Sequence, residues 1–197
     1  SSTAKVYIRT KQCGKVLMEL GEKPDLQNAF SFTGLTDTLR DKSVMLQLTS
    51  LKPDTRYYYR FLFEGWEDTI RGNFRTFPAE GAKGDFTFVT GSCQETENMK
   101  VFEAMPKSDP YFLMHTGDFT YPDYMIARNY AATQSGIDSS YRKRYSEKLM
   151  KQMMYNMPID YMYDDDDYVG ASAGRYCTND LVSKLEHGKI TYTMPAD

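Results

Sequence analysis

The sequence predicts a two-part α+β chain, with a β-sandwich first and an α/β part built on a parallel sheet second. Three observations predict it. Residues 4–79 carry short, alternating apolar runs separated by turn residues, with no helical period. A Pro/Gly-containing stretch, Pro78–Lys83, then interrupts the pattern. Beyond it, apolar strands alternate with helical patterns in the order strand, loop, helix, strand, which is the signature of parallel pairing. The expected parts are 1–79 and 84–197.

In the first part, Ala4–Thr10 alternates and is rich in strand formers, and Lys15–Leu20 is a second run. Ser43–Thr49 sets Val44, Leu46 and Leu48 on one side of a third strand. A Pro53-Asp54 turn introduces a fourth, through Tyr57 to Phe61, and Gly72–Phe77 is the last, closed by Pro78. These are fewer strands than a full sandwich needs, so a first strand is expected to be missing or misread. The Leu51-Lys52-Pro53-Asp54-Thr55-Arg56-Tyr57 run resembles the corner of fibronectin type III-like domains. That resemblance implies a Tyr57 ring in the core and a Tyr57 hydroxyl turned back to the backbone near the preceding turn.

In the second part, Phe86–Thr90 is an apolar strand ending in Gly91-Ser92-Cys93. Val101, Phe102, Ala104 and Met105 are spaced for one face of a short helix, which Asp109-Pro110 ends. Tyr111–His115 is a second strand running into Gly117-Asp118. Asp138 or Ser139 can cap a helix that carries Tyr141, Tyr145 and Leu149 and stops before Pro158. Ile159–Tyr163 is a third strand, running into Asp164-Asp165-Asp166-Asp167. Arg142, Lys143, Arg144, Lys148 and Lys151 read as a polar helix face, and Tyr145–Met162 as core and helix surface.

Composition narrows the function. The 197 residues hold 24 Lys+Arg against 27 Asp+Glu, net −3, so no basic surplus points to nucleic acid. No apolar run approaches the ~20 residues of a membrane span. Two histidines, His115 and His187, exclude a metal site built mainly on imidazole. Three cysteines give no disulfide framework, and Cys13 and Cys177 read as structural or free thiols. Ser1-Ser2 in place of an initiator Met suggests a processed or truncated start.

In a parallel sheet, the loops leaving the carboxyl ends of the strands converge on one edge, where ligands bind. Here those loops begin with Cys93, Asp118 and the Asp164–Asp167 run. Adjacent carboxylates repel, and a cation offsets their charge. The Tyr121 phenol, three residues beyond Asp118, can fold back to the same place. A thiolate with a phenolate favours ferric iron, whereas carboxylates alone suit Ca²⁺, Mg²⁺ or Mn²⁺. An EF-hand is excluded, because Tyr168 and Arg175 stand where oxygen ligands are needed. His115, inside a strand, reads as a packing residue or a support to ligands; the acidic run could be a solvated loop, but its place directly after an apolar strand favours at least one metal-facing carboxylate.

Taken in order, Gly91-Ser92-Cys93, the His115–Tyr124 segment HTGDFTYPDY and the Pro158–Tyr168 segment PIDYMYDDDDY resemble the PhoD-type alkaline phosphatase/phosphodiesterase family of calcineurin-like metallophosphoesterases. The similarity runs from about Ala4 to Asp180 and includes the sandwich ending FRTFP. It implies a fibronectin III-like β-sandwich followed by a partial metallophosphoesterase domain. It implies that Cys93, Asp118 and Tyr121 share one metal position, that Asp118 bridges to a second, and that Asp165 is the next ligand. Asn179, with Asp180, matches the family's Asn-Asp pair at a longer spacing. Calcium and iron are the implied metals, with Mn, Mg or Zn as alternatives, and a phosphate mono- or diester is the implied substrate. Export from the cytoplasm is the implied location.

Two departures accompany the resemblance. Asp166 stands where the family has a His that helps bind phosphate, and an added carboxylate opposes an anionic substrate. The family's catalytic domain also continues further and supplies more ligands. A C-terminal half or a partner chain is therefore expected to cover the open sheet. Three readings follow: an active phosphoesterase, a catalytically impaired metal-binding or assembly module of the same descent, and a purely structural β-sandwich protein without a metal at Asp118 or Asp165.

Overall fold

A computed structural model describes residues 2–65, 69–94, 99–121, 134–168, 184–186 and 189–191. The chain is mostly β, with few helices, and divides into two compact units. One comprises residues 1–88, 106–112 and 153–158; the other comprises 89–105, 113–152 and 159–197.

The first unit holds two antiparallel sheets. Strands β1 (Ala4–Arg9) and β4 (Ser43–Leu48) form one. Strands β2 (Lys15–Gly21), β3 (Phe30–Leu35), β5 (Arg56–Phe63) and β6 (Ile70–Arg75) form the other, in the order β3-β2-β5-β6. Alternation explains the pairing of the two sheets. Val16, Met18 and Leu20 on β2, and Tyr57, Tyr59 and Phe61 on β5, are buried at every second position. Together with Ile8, Leu46, Leu48 and Phe74 they make one apolar core drawn from both sheets. On the opposite face of β2 and β5, Glu19 and Arg60 stand directly across from one another and form an ion pair.

The Tyr57 corner has the expected geometry. Its ring is buried, and its hydroxyl oxygen accepts the Lys52 backbone N–H at 2.9 Å. The strand that the sequence reading missed is not a first one but the third, β3. It is an edge strand whose Phe30 and Leu35 stay largely exposed, so its apolar residues do not report one buried face.

A second difference concerns the passage between the units. Only Val89–Gly91 forms the strand expected over Phe86–Thr90. Phe86 and Phe88 instead stack with Tyr111 and Phe112, at centroid separations of 4.7 and 5.6 Å, and Phe77 stacks on Tyr111. One backbone hydrogen bond, from the Tyr111 N–H to the Thr87 carbonyl at 2.9 Å, also joins these two segments.

The second unit is built on a parallel sheet, β7 (Val89–Gly91), β8 (Leu113–His115) and β9 (Ile159–Tyr161), in that order. The pairs are Val89 with Leu113 and Leu113 with Ile159, both parallel. Among the described residues, α1 (Val101–Ala104), α2 (Gln134–Ser146) and α4 (Asp165–Tyr168) are α-helices of this unit, and α3 (Lys148–Asn156) begins in it and ends among residues of the other. Asp138 and Ser139 lie inside α2, not at its start, and the Ser139 hydroxyl donates to the Ser135 carbonyl one turn back. Short strands β10 (Lys184–Glu186) and β11 (Lys189–Thr191) pair antiparallel. Among the described residues no helix is long and apolar enough to cross a membrane.

Candidate metal centre

The chemistry-bearing residues lie where the parallel strands end. After β7, Cys93 takes a left-handed backbone conformation with φ 57°, and after β8 Asp118 does the same with φ 55°. Two backbone hydrogen bonds hold the loops together. The Cys93 N–H donates to the Gly117 carbonyl at 3.2 Å, and the Gln94 N–H donates to the Asp118 carbonyl at 3.0 Å. Both turns thereby aim their side chains at one point. The Cys93 thiol and the Tyr121 hydroxyl each approach the same atom, Asp118 Oδ2, at 3.4 Å.

Gly117 makes this possible. Its φ of 110° is one that residues with a side chain rarely adopt, and a Cβ there would run into Asp164. The Gly117 backbone therefore lies directly against the Asp164 side chain of the acidic run.

The acidic run is a helical turn and not an open loop. Asp166 and Asp167 are both buried. Asp167 Oδ1 accepts the Phe119 N–H at 2.9 Å and the Thr120 N–H at 3.2 Å, while its Oδ2 accepts the Asp164 N–H at 3.1 Å. A carboxylate with three backbone donors fastens the Asp118 loop to the run that follows β9. The side chain of Asp165 lies outside the described part of the structure, as do Asn179, Asp180, Cys177 and His187.

The electrostatics suit a cation. Burial raises the Tyr121 phenol well above its ordinary value, and the neighbouring Asp118, Cys93 and Asp166 push it further the same way. Asp118 Oδ1 is a buried carboxylate oxygen without a hydrogen-bond partner. A thiol, a phenol and a carboxylate with one uncommitted oxygen form a donor set that fits a metal ion in chemical type. Among the described residues no group of three or more His, Cys, Asp or Glu is arranged to hold one.

His115 stands beside this cluster, packed edge-on against Phe119 and tilted against Tyr161. Burial pushes its pKa below the ordinary 6.5, outweighing the upward pull of the Asp167 carboxylate, and the Arg144 cation lowers it further. The folded chain therefore holds a neutral imidazole, and the unfolded chain binds the proton first as pH falls. The stability that this provides is complete above about pH 6.5, the unfolded value, and is lost as pH drops toward the lower folded value. His115→Gln is expected to remove up to about 1.4 kcal/mol per pH unit of that slope, read from urea denaturation at about pH 5 and pH 7.5.

Two residues that matter here escaped the sequence reading. Asp167 was one undistinguished member of an acidic run. Arg144 was assigned to a polar helix face, yet it is buried and bonded to the Phe119 carbonyl at 2.9 Å, the Gln94 carbonyl, and Glu147 at 2.7 Å. A signal was present. Tyr141, Arg144 and Tyr145 fall at i, i+3 and i+4, so Arg144 shares the face of the two tyrosines that pack on Phe119.

No protein-family model matches the sequence, and no curated protein matches it. Solved structures do. One, described as the structure of PhoD, aligns with a TM-score of 0.73 at 22% identity, over 84% of this chain and 37% of that one. Another, the purple acid phosphatase PPD1 from yellow lupin (Lupinus luteus) seeds, aligns with a TM-score of 0.57 at 13% identity, over 83% of this chain and 33% of that one. The chain spans about a third of the length of these structures. Over that span it has the fold found in PhoD.

Proposed function

We propose that the chain is a PhoD-like phosphoesterase segment, in which a fibronectin III-like sandwich of about residues 1–79 precedes the first part of a metal-dependent hydrolase domain, 84–197. The observation that carries this reading is the convergence of Cys93 and Tyr121 on one oxygen of Asp118, at the carboxyl ends of parallel strands. The shared fold with PhoD supports it.

In this reading Cys93, Asp118 and Tyr121 hold one metal ion, with Asp118 extending its other carboxylate oxygen toward a second. Asp165 and Asn179 add ligands, and further chain or a partner supplies the remainder. Iron at the Cys/Tyr position and calcium beside it match the donor types, and Mn, Mg or Zn are alternatives. A bound metal ion supplies charge neutralisation for a phosphate mono- or diester and activation of water. The residues themselves position those charges. The paired loops keep Cys93 against Asp118, and Asp167 anchors the Asp118 loop from behind. An exported, extracytoplasmic setting is part of the proposal.

A second reading is favoured by one specific feature. Asp166, where the resemblance places a His, is a buried carboxylate that adds negative charge near an anion-binding site. A metal-binding or assembly module with impaired hydrolysis accounts for that. Hydrolysis of p-nitrophenyl phosphate and bis-p-nitrophenyl phosphate, with Ca²⁺, Fe³⁺, Mn²⁺, Mg²⁺ or Zn²⁺ added, separates the two. The first reading expects turnover that falls by about 100-fold or more in Asp118→Asn. Absence of turnover with every metal, alongside retained metal binding, leaves the second. Turnover appearing in Asp166→His would identify the missing imidazole as the cause.

A further inference from the structure

Arg144 lies in the last turn of α2, with its guanidinium buried between the two loops that carry Cys93 and Asp118. It donates through Nε to the carbonyl of Phe119, the residue after Asp118. Through a second nitrogen it donates to the carbonyl of Gln94, the residue after Cys93. Its third partner is Glu147, at 2.7 Å, likewise buried and placed just after the end of the helix. One cation thus joins the backbone of both loops, one residue beyond Cys93 and one beyond Asp118. The planar fork of Arg suits this task, since it donates in several fixed directions at once, which Lys does not. The Glu147 carboxylate offsets the buried charge.

We infer that Arg144 is a positioning residue for the Cys93–Asp118 pair, with Glu147 as its counter-charge. It sets the separation of the two loops and through it the affinity for a metal ion. The inference rests on the metal-site reading given above, but its mechanical part stands on the hydrogen bonds alone. The three groups that Arg144 joins belong to segments distant in sequence, Gln94, Phe119 and α2. Without the guanidinium, both carbonyls lose a buried, charge-assisted donor, and the loops retain their mutual backbone bonds and the Cys93–Asp118 side-chain contact.

The test uses Arg144→Met, Arg144→Lys and the double variant Arg144→Met/Glu147→Met. The double variant removes both buried charges together, so the unit still folds if Arg144→Met alone does not. Two readouts are taken on the whole chain. The first is amide hydrogen exchange without metal. The amides of Cys93 and Gln94 are expected to exchange at least about 10-fold faster in the double variant, while those of Met18 and Leu20 in the other unit keep their wild-type rates. The second is Co²⁺ binding by equilibrium dialysis, expected to weaken by about 10–100-fold, with Arg144→Lys in between. Unchanged exchange at Cys93 and Gln94 in the double variant overturns the clamp. Accelerated exchange with unchanged Co²⁺ affinity overturns its link to the metal. A wild-type chain that binds no Co²⁺ overturns the metal-site reading and with it that link, while the exchange result still decides the clamp.

Discussion

Asp167→Ala is expected to destabilise the α/β unit by about 3–5 kcal/mol, from the loss of charge-assisted hydrogen bonds at a buried carboxylate. Asp167 is 2% exposed, and its two oxygens serve three backbone N–H groups, those of Phe119, Thr120 and Asp164. Phe119 and Thr120 are themselves buried, so water does not replace the lost acceptor. Asp167→Asn keeps one carbonyl oxygen of similar shape but loses the charge and turns one acceptor into a donor facing the Asp164 N–H or its neighbours. It is expected to cost less, about 1–2 kcal/mol. Urea denaturation followed by far-ultraviolet circular dichroism measures both. Equal stability of Asp167→Ala and wild type would show that the loop after β8 does not depend on this carboxylate.

The second large effect belongs to Gly117→Ala. The backbone at this position has φ 110°, and the added methyl would meet the Asp164 side chain. Conformational strain accounts for about 1–3 kcal/mol, and the collision adds to it unless the acidic run withdraws. Either response moves Asp118, whose carbonyl and side chain both engage the Cys93 loop. Gly117→Ala is therefore expected to lower stability by about 3 kcal/mol and to weaken metal binding by at least about 10-fold. A variant with wild-type melting and wild-type metal affinity would contradict the close approach of the two loops.

The alternation of buried side chains made most strands of the first unit readable. Val16, Met18 and Leu20 report a buried face directly, and the Pro53-Asp54 turn before Tyr57 marks the corner. Strand β3 was hidden by its own residues: Phe30 and Leu35 are exposed and Phe32 is only partly buried, so no fully buried alternation marks it. Helix α2 was placed too late because its first turn, Gln134 to Ile137, has Gly136 and little apolar content to mark it. Leu149 lies in α3 beyond a break at Glu147, so the spacing from Tyr141 and Tyr145 spans two helices.

At the candidate site, residue type and strand-end position pointed to Cys93, Asp118 and Tyr121, and the geometry brings these three together. The supporting groups were not legible in the same way. A run of four Asp offers no pattern that distinguishes Asp167, which folds back onto backbone, from its neighbours. Arg144 was masked by the basic residues around it, since charge alone suggests solvent and only the shared face with Tyr141 and Tyr145 suggests burial. Functional donors betray themselves by chemistry, whereas the groups that hold them in place depend on three-dimensional register.

The central claim is that Cys93, Asp118 and Tyr121 together bind a metal ion, and anaerobic Fe³⁺ titration with visible absorption tests it most directly. A phenolate or thiolate bound to ferric iron gives an intense charge-transfer band, so wild type is predicted to develop one that saturates at a fixed iron-to-protein ratio. Tyr121→Phe is predicted to lose the phenolate component, Cys93→Ser to shift what remains, and Asp118→Asn to abolish saturable binding. No saturable band in the wild-type chain, or the same band in all three variants, would contradict the account.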